Sequence, residues 1–440
     1  MILAGCQMHR IDPLPDPVLE AGPAYSEGSP AASSAPGDWW AAFGDDKLDT
    51  LIRAALDNNF DLRQAAARFD QATALTRQAE ALRLPLLDFE GDALKQWIDG
   101  DEPKRTLRAG GALAWEIDIF NRLGSVALAR RSTAAARAED VQAVRLTLSA
   151  EVAEAYFDAV SQRRQLALLQ RQIDVDRDLL ELTQLRFEGG LTASVDVLQQ
   201  SSQLAETESL VPPTEATLRL SENRLDVLVG QAPDAVSRTG PEDTLTAVDD
   251  LPFLGVPSDL LLNRPDLRAL RSELVAADAE IARAMAERLP RITLEGSFFY
   301  VDGPQLSGPA GALLGSLVQP LLDWGTRKAE VERNQALYVE RLAAFTQAYL
   351  EAIEDVENAL YQERKQREFL DRLERQHTIL ARTVEETRDR YTNGLTDFLP
   401  VLNAIQDLQE LERNIVRQQR DLVVIRVQLH RALGGGLAAS

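Results

Sequence analysis

Cysteine occurs once in the 440 residues, at position 6, so no internal disulfide can form. Histidine occurs three times, at 9, 377 and 430, too scattered for a zinc site of the His/Cys kind. Methionine also occurs three times, at 1, 8 and 285, which leaves no methionine relay for copper. Bases number 47 against 69 acids, a net charge of −22, and this argues against nucleic acid as the main partner. No stretch approaches the roughly 18 consecutive apolar residues of a membrane helix. Any membrane crossing must therefore use strands in a closed barrel. No phosphate loop, nucleophile elbow or zinc site is found, so neither an enzyme nor a cofactor is expected. Apolar residues make up 45% and charged residues 26%, enough to fold rather than remain disordered.

The amino terminus reads Leu3-Ala4-Gly5-Cys6, the form of a bacterial lipobox, with Cys6 as the acylated residue. The charged start and apolar core of a signal peptide do not precede it, so a truncated start is expected. Gln7 to Pro36 is rich in Pro, Ser, Ala and Gly, like a tether. Gln7 itself is not the aspartate that marks inner-membrane retention.

The chain repeats itself. Asp61-Leu62-Arg63 recurs as Asp266-Leu267-Arg268, and Leu84-Pro85 as Leu289-Pro290, each offset by 205 (266 − 61, 290 − 85). Further on, Arg186-Phe187-Glu188-Gly189-Gly190-Leu191-Thr192 matches Arg390-Tyr391-Thr392-Asn393-Gly394-Leu395-Thr396, offset by 204 (390 − 186). Such long units are not solenoid repeats; they are a duplicated half-protein.

Each half reads helix, two strands, very long helix, turn, helix. First helices are expected over 46–83 and 258–288, each stopped by Pro85 or Pro290. Long helices are expected over 126–187 and 328–391. From Val144 to Phe187 mostly apolar residues, with Gln162, Asp176 and Thr183 among them, recur at steps that alternate between three and four after one early four-four step, a coiled-coil seam that the second half repeats in register. Glu363 and His377 make the second seam more polar, and His377 is read as facing a partner helix. Gly190 and Gly394 suit left-handed caps, after which Thr192 and Thr396 could cap the next helix. Val211-Pro212-Pro213 must kink or break the first return helix. Residues 231–257 are rich in proline and read as an irregular connector.

The strands alternate. Leu87, Phe89, Gly91 and Ala93 interleave with Asp88, Glu90, Asp92 and Leu94; Leu107 to Ile117 do so with Arg108 to Glu116; Ile292 to Tyr300 do so with Thr293 to Phe299. A fourth strand is expected near 312–321, weakened by Gly315 and Pro320. One apolar and one polar face suit a barrel wall, yet membrane barrels need about eight strands, so several chains must share one if the sheet is in a membrane.

This combination resembles the TolC-like outer-membrane efflux proteins. Asp38-Trp39-Trp40 with Phe43, Trp115-Glu116-Ile117-Asp118-Ile119-Phe120, Val211-Pro212-Pro213 and Arg264-Pro265-Asp266-Leu267-Arg268 look like its lipoprotein, NodT-like branch. The resemblance implies a mainly α fold with a membrane β-barrel portion: a homotrimer whose long helices form an α-barrel and whose four strands per chain enter a shared twelve-stranded barrel. It implies a passive exit duct in the outer membrane of a Gram-negative bacterium, lipid-anchored, with a long periplasmic tunnel. Its partners would be a periplasmic adaptor and an inner-membrane transporter of the resistance-nodulation-division type. On this frame residues 1–37 are lipobox and tether, and 38–230 the first repeat, with strand hairpin 86–118. Residues 231–257 are the connector, 258–435 the second repeat with strand hairpin 291–321, and 436–440 a tail.

Two sites carry over from the resemblance. Arg186, Gly190, Leu191 and Thr192, with Arg390, Gly394, Leu395 and Thr396, match adaptor-docking tips. Asp196, Tyr391, Asp397 and Asn403 match or neighbour positions that close the periplasmic end, although Pro400 and Asn403 stand where some relatives carry aspartate. The alternation itself puts Asp88, Glu90, Asp92 and Glu295 on the polar wall, and an acid-lined pore favours cations. A type I protein-secretion channel and a non-pore periplasmic coiled-coil scaffold are the alternatives.

Overall fold

The computed structural model describes residues 9–19, 22–26, 38–97, 102–245, 251–252 and 254–435. Cys6 and the 436–440 tail lie outside the described residues. In chain order the elements are α1 (Asp46–Asn58), α2 (Phe60–Ala81), β1 (Leu86–Gln96), β2 (Lys104–Glu116), α3 (Arg122–Glu188), α4 (Ser194–Ser209) and α5 (Val211–Leu228). The second half supplies α6 (Leu260–Asn263), α7 (Pro265–Ala286), β3 (Arg291–Asp302), β4 (Ser307–Val318), α8 (Thr326–Thr392) and α9 (Phe398–Ala432).

The long helices α3 and α8 have 67 residues each, somewhat longer than expected. At 1.5 Å per residue each runs about 100 Å. The expected single first helices are instead divided. Asn59 interrupts the first, with extended backbone (φ −63, ψ 135), and its Oδ1 accepts the Asp61 and Leu62 amides to start α2. Its Nδ2 donates to the Leu228 carbonyl at 3.0 Å. Arg264, 205 residues on, makes the same extended break (φ −80, ψ 117) before Pro265. The residue before a proline avoids the helical region, so the second break has a local cause.

The chain divides into two compact units. One holds residues 64–141 and 265–349 with the segment up to Glu20; the other holds 21–63, 142–264 and 350–440. The first contains a four-stranded antiparallel sheet in the order β1-β2-β3-β4. Its fourth strand ends at Val318, before Pro320, so proline closes the strand rather than weakening it. Part of the expected tether is fastened here. His9 bonds Asp278, the Asp12 amide donates to the same carboxylate at 3.0 Å, the Val18 amide donates to Thr346 Oγ1 at 3.2 Å, and Arg271 pairs with Asp16 at 2.7 Å. Specific partners, not composition, decide this segment.

In the second unit the aromatic motif near residue 40 builds a core. Trp39 is fully buried, stacks on His430 at 5.4 Å, meets Phe43 edge-on and donates Nε1 to Ser149 Oγ at 3.1 Å. Phe43 in turn packs on Phe157. Four helix ends in this unit close alike. Gly190, Gly230, Gly394 and Gly434 all have φ between 70 and 90°. At each, a six-to-one backbone bond is made, as from Leu191 N–H to Arg186 O and from Leu395 N–H to Arg390 O, both 2.8 Å. Gly230 and Gly434 also need their missing Cβ: it would lie 2.6 Å from the Asn58 and Asn263 carbonyl oxygens respectively. The halves differ in one respect. The first return helix is broken at Leu210, ahead of Pro212 and Pro213, whereas α9 continues unbroken for 35 residues.

Candidate functional site

Residues paired directly across an antiparallel ladder share a face, so the register assigns the faces of the sheet. Asp92 pairs with Arg108 and that with Val301; Glu90 with Gly110 and Phe299; Asp88 with Ala112 and Ser297; Leu86 with Ala114 and Glu295. Asp88, Glu90, Asp92 and Glu295 therefore fall on one face, with Thr293, whose hydroxyl bonds Ser316 at 2.6 Å. Glu116, on the same face, takes Arg122 in a bidentate pair at 2.9 and 2.8 Å. The opposite face carries Leu87, Phe89, Leu113, Leu294, Phe298, Tyr300, Leu313 and Leu317. Phe89 is 82% and Leu313 74% exposed in the single chain. So extended an apolar face needs an apolar medium. An acid-studded face backed by a lipid-compatible one is the sidedness of a transmembrane strand sheet.

One residue of the polar face was not among the expected site residues. The Arg108 guanidinium lies 3.6 Å from the centroid of the Phe299 ring. Phe299 is buried because it lies over Gly110, where an added Cβ would stand 2.6 Å from Phe299 Cα. The alternation marked Arg108 as polar-facing; its aromatic partner, 191 residues away (299 − 108), left no mark in the sequence.

The two helical-hairpin tips lie in the other unit. Leu191 and Leu395 are exposed beyond their glycines, and Arg390 is exposed. Nothing lies within 4 Å of where a Cβ would be at Gly190 or Gly394. Thr192 does not cap α4 and Thr396 does not cap α9; those positions belong to Ala193 and Asp397. Because alanine has no acceptor, the Asp196 carboxylate reaches back instead. It accepts the Ala193 amide at 3.4 Å and the Thr192 hydroxyl. Asp397 forms no side-chain cap and, like Asn403, is exposed. Tyr391 is buried edge-on against Phe398 at 5.6 Å, in a cluster with Leu179, Val401, Leu402 and Ile405. Arg186 covers its ring at 4.5 Å and donates Nη1 to the Thr392 carbonyl at 3.3 Å. Arg186 thereby joins the first tip to the second, and Asp196 is held within the first.

Further along the same helices, polar groups are buried. The Asp176 carboxylate accepts Thr207 Oγ1 at 2.7 Å and Gln409 Nε2 at 2.9 Å, linking α3, α4 and α9. Burial pushes its pKa above the usual carboxylate range, against the hydrogen bonds from Thr207 and Gln409. Glu363, the polar seam position of α8, meets Arg426 of α9 in a bidentate pair with both groups buried. His377 faces α9, with Nε2 3.5 Å from Glu412 Oε1.

Among the described residues no group of three His, Cys, Asp or Glu could hold a metal ion, and no helix is long and apolar enough to cross a membrane. A two-faced four-stranded sheet and duplicated hairpins of very long helices are the parts expected of an outer-membrane duct. The chain belongs to the outer membrane efflux protein family, whose profile matches residues 51–231 and 256–435. It is 32% identical to the pyoverdine export outer membrane protein OpmQ of Pseudomonas putida, over 96% of this chain and 94% of that one. It is 28% identical to Nodulation protein T of Rhizobium leguminosarum bv. trifolii, over 99% and 96% respectively. The solved outer-membrane channel OprN superposes with a TM-score of 0.89 at 28% identity, covering 98% of this chain and all of that one. The protein is an outer-membrane efflux channel.

Proposed function

We propose that three copies of this chain close one barrel of three times four strands, and that the duct so formed receives small molecules from an inner-membrane transporter of the resistance-nodulation-division type through a periplasmic adaptor. The carrying observation is the sheet: β1 and β4 are both edge strands, so each leaves a row of unpaired backbone groups. In lipid each unpaired group costs several kcal/mol, so neither edge can stay open. Edge pairing between copies satisfies both rows and turns the acid face inward. Asp88, Glu90, Asp92 and Glu295 then line the lumen and favour cations. Cys6 carries the lipid anchor.

The duplicated tips take the adaptor through the exposed Leu191, Leu395 and Arg390, beside Gly190, Thr192, Gly394 and Thr396. Tyr391, with Arg186 on its ring, holds the periplasmic end together, while Asp196, Asp397 and Asn403 supply polar groups around it. Residues 38–230 and 258–435 act as the two halves of each subunit, joined by 231–257. The test is the oligomeric mass of the full-length protein in detergent, recorded with its conductance in a planar bilayer. A trimer with discrete conductance is expected. A monomer silent at every voltage and pH leaves a scaffold as the better account.

A further inference from the structure

The polar face of the sheet is not uniformly acidic. Arg108 stands in the ladder row of Asp92, one row from Glu90, and among the described residues it makes no ion pair. An arginine next to carboxylates normally turns to them, because a charge-assisted pair is the stronger contact. Here the guanidinium lies on the Phe299 ring of the neighbouring strand instead. Phe299 lies against Gly110, where any side chain would collide with the backbone of β3. Glycine, phenylalanine and arginine thus form a stack whose outermost layer is a cation facing the same side as the acids. Stacking occupies one face of the guanidinium and leaves its N–H fork available, the geometry that suits carboxylates.

We propose that Arg108 is a selectivity-setting residue of the duct: a fixed cation on an acidic wall that lets anions, carboxylate-bearing solutes above all, pass the rows of Glu90 and Asp92. This rests on the reading that the polar face lines the lumen. Three copies would place three such cations at one level of the barrel. Without them the rows of Glu90 and Asp92 carry acids alone, since the next cation of β2 on that face, Lys104, pairs with Gln96 two same-face rows further on.

The experiment is a reversal-potential measurement on the full-length channel in a planar bilayer, under a tenfold KCl gradient. The dilute side is held near 10 mM, where the Debye length of about 30 Å lets wall charges act across the lumen. Arg108→Gln is expected to raise the cation-to-anion permeability ratio at least about threefold, the scale of removing one unit charge some 8 Å from a permeating ion in water. Arg108→Lys keeps the charge and is expected to keep the wild-type ratio. Arg105→Gln, on the other face of the same strand, is expected to change nothing. Each variant is first checked for wild-type oligomeric mass. An unchanged ratio in Arg108→Gln overturns the assignment, and so does a rise that Arg108→Lys shares. Absence of conductance from the wild-type trimer is a separate outcome, and it sinks the duct reading itself.

Discussion

Protonating His430 should destabilise the helical unit by about 3 kcal/mol. The ring is buried, stacked on Trp39, and its Nε2 has no hydrogen-bond partner. Burial, helped by the nearby Arg426 charge and opposed by Glu363, lowers its pKa from 6.5 to about 4. A position in the last turn of α9 would favour a cation through the helix dipole, but that is worth at most about 2 kcal/mol and desolvation outweighs it. The folded state therefore binds this proton more weakly than the unfolded chain. Its contribution is fully present above pH 6.5 and is lost as pH falls towards 4. The difference of 2.5 units (6.5 − 4), at about 1.36 kcal/mol per unit, gives roughly 3.4 kcal/mol when the loss is complete. Wild type and His430→Phe should be compared by denaturant unfolding from pH 8 to pH 3.5 at equal protein concentration. Phenylalanine keeps the stack on Trp39 and removes the titration. The gap between the two curves should widen in favour of phenylalanine below pH 6.5 and level off near pH 4. Curves that stay parallel across that window would refute the reasoning.

Three further outcomes are expected. Glu363→Ala removes the buried carboxylate that takes Arg426 in a bidentate pair, a loss of about 3–5 kcal/mol; the double variant Glu363→Met/Arg426→Leu should recover most of it in the same unfolding assay. Gly230→Ala and Gly434→Ala add a carbonyl clash to the left-handed strain, whereas Gly190→Ala and Gly394→Ala incur only the strain, about 1–2 kcal/mol. Thermal melts should rank the pairs in that order, and equal losses would contradict it. Asp278→Ala removes the acceptor shared by His9 and the Asp12 amide; limited trypsin digestion should then cut at Arg10 faster than in wild type, with the remaining chain equally resistant.

Features written in local code were legible in the sequence. The alternation of residues 86–94 assigns Asp88, Glu90 and Asp92 to one face whatever their partners, because a strand has a period of two. The glycines at 190 and 394 announce left-handed ends, and the duplication doubles every such signal. Features that depend on distant partners were not legible. Asn59 breaks a helix that its neighbours favour because its amide reaches the Leu228 carbonyl, 169 residues away. Glu363 looks like a defect in a seam until Arg426 is set against it. Arg108 looks like one more polar residue until Phe299 arrives from the other half. Thr192 looked like the cap of α4, but a carboxylate three residues into the helix did that work, leaving Ala193 at the boundary.

The unequal return helices make the two halves different mechanical parts. The 35 residues of α9 form a single strut of about 50 Å from Phe398 to Ala432. Between α4 and α5, Pro212 and Pro213 bring no N–H to the ladder, so at Leu210 the run of hydrogen bonds that stiffens a helix is interrupted. The two halves of the duplication are therefore not interchangeable: one returns on a single rod, the other on two shorter rods that meet at Leu210.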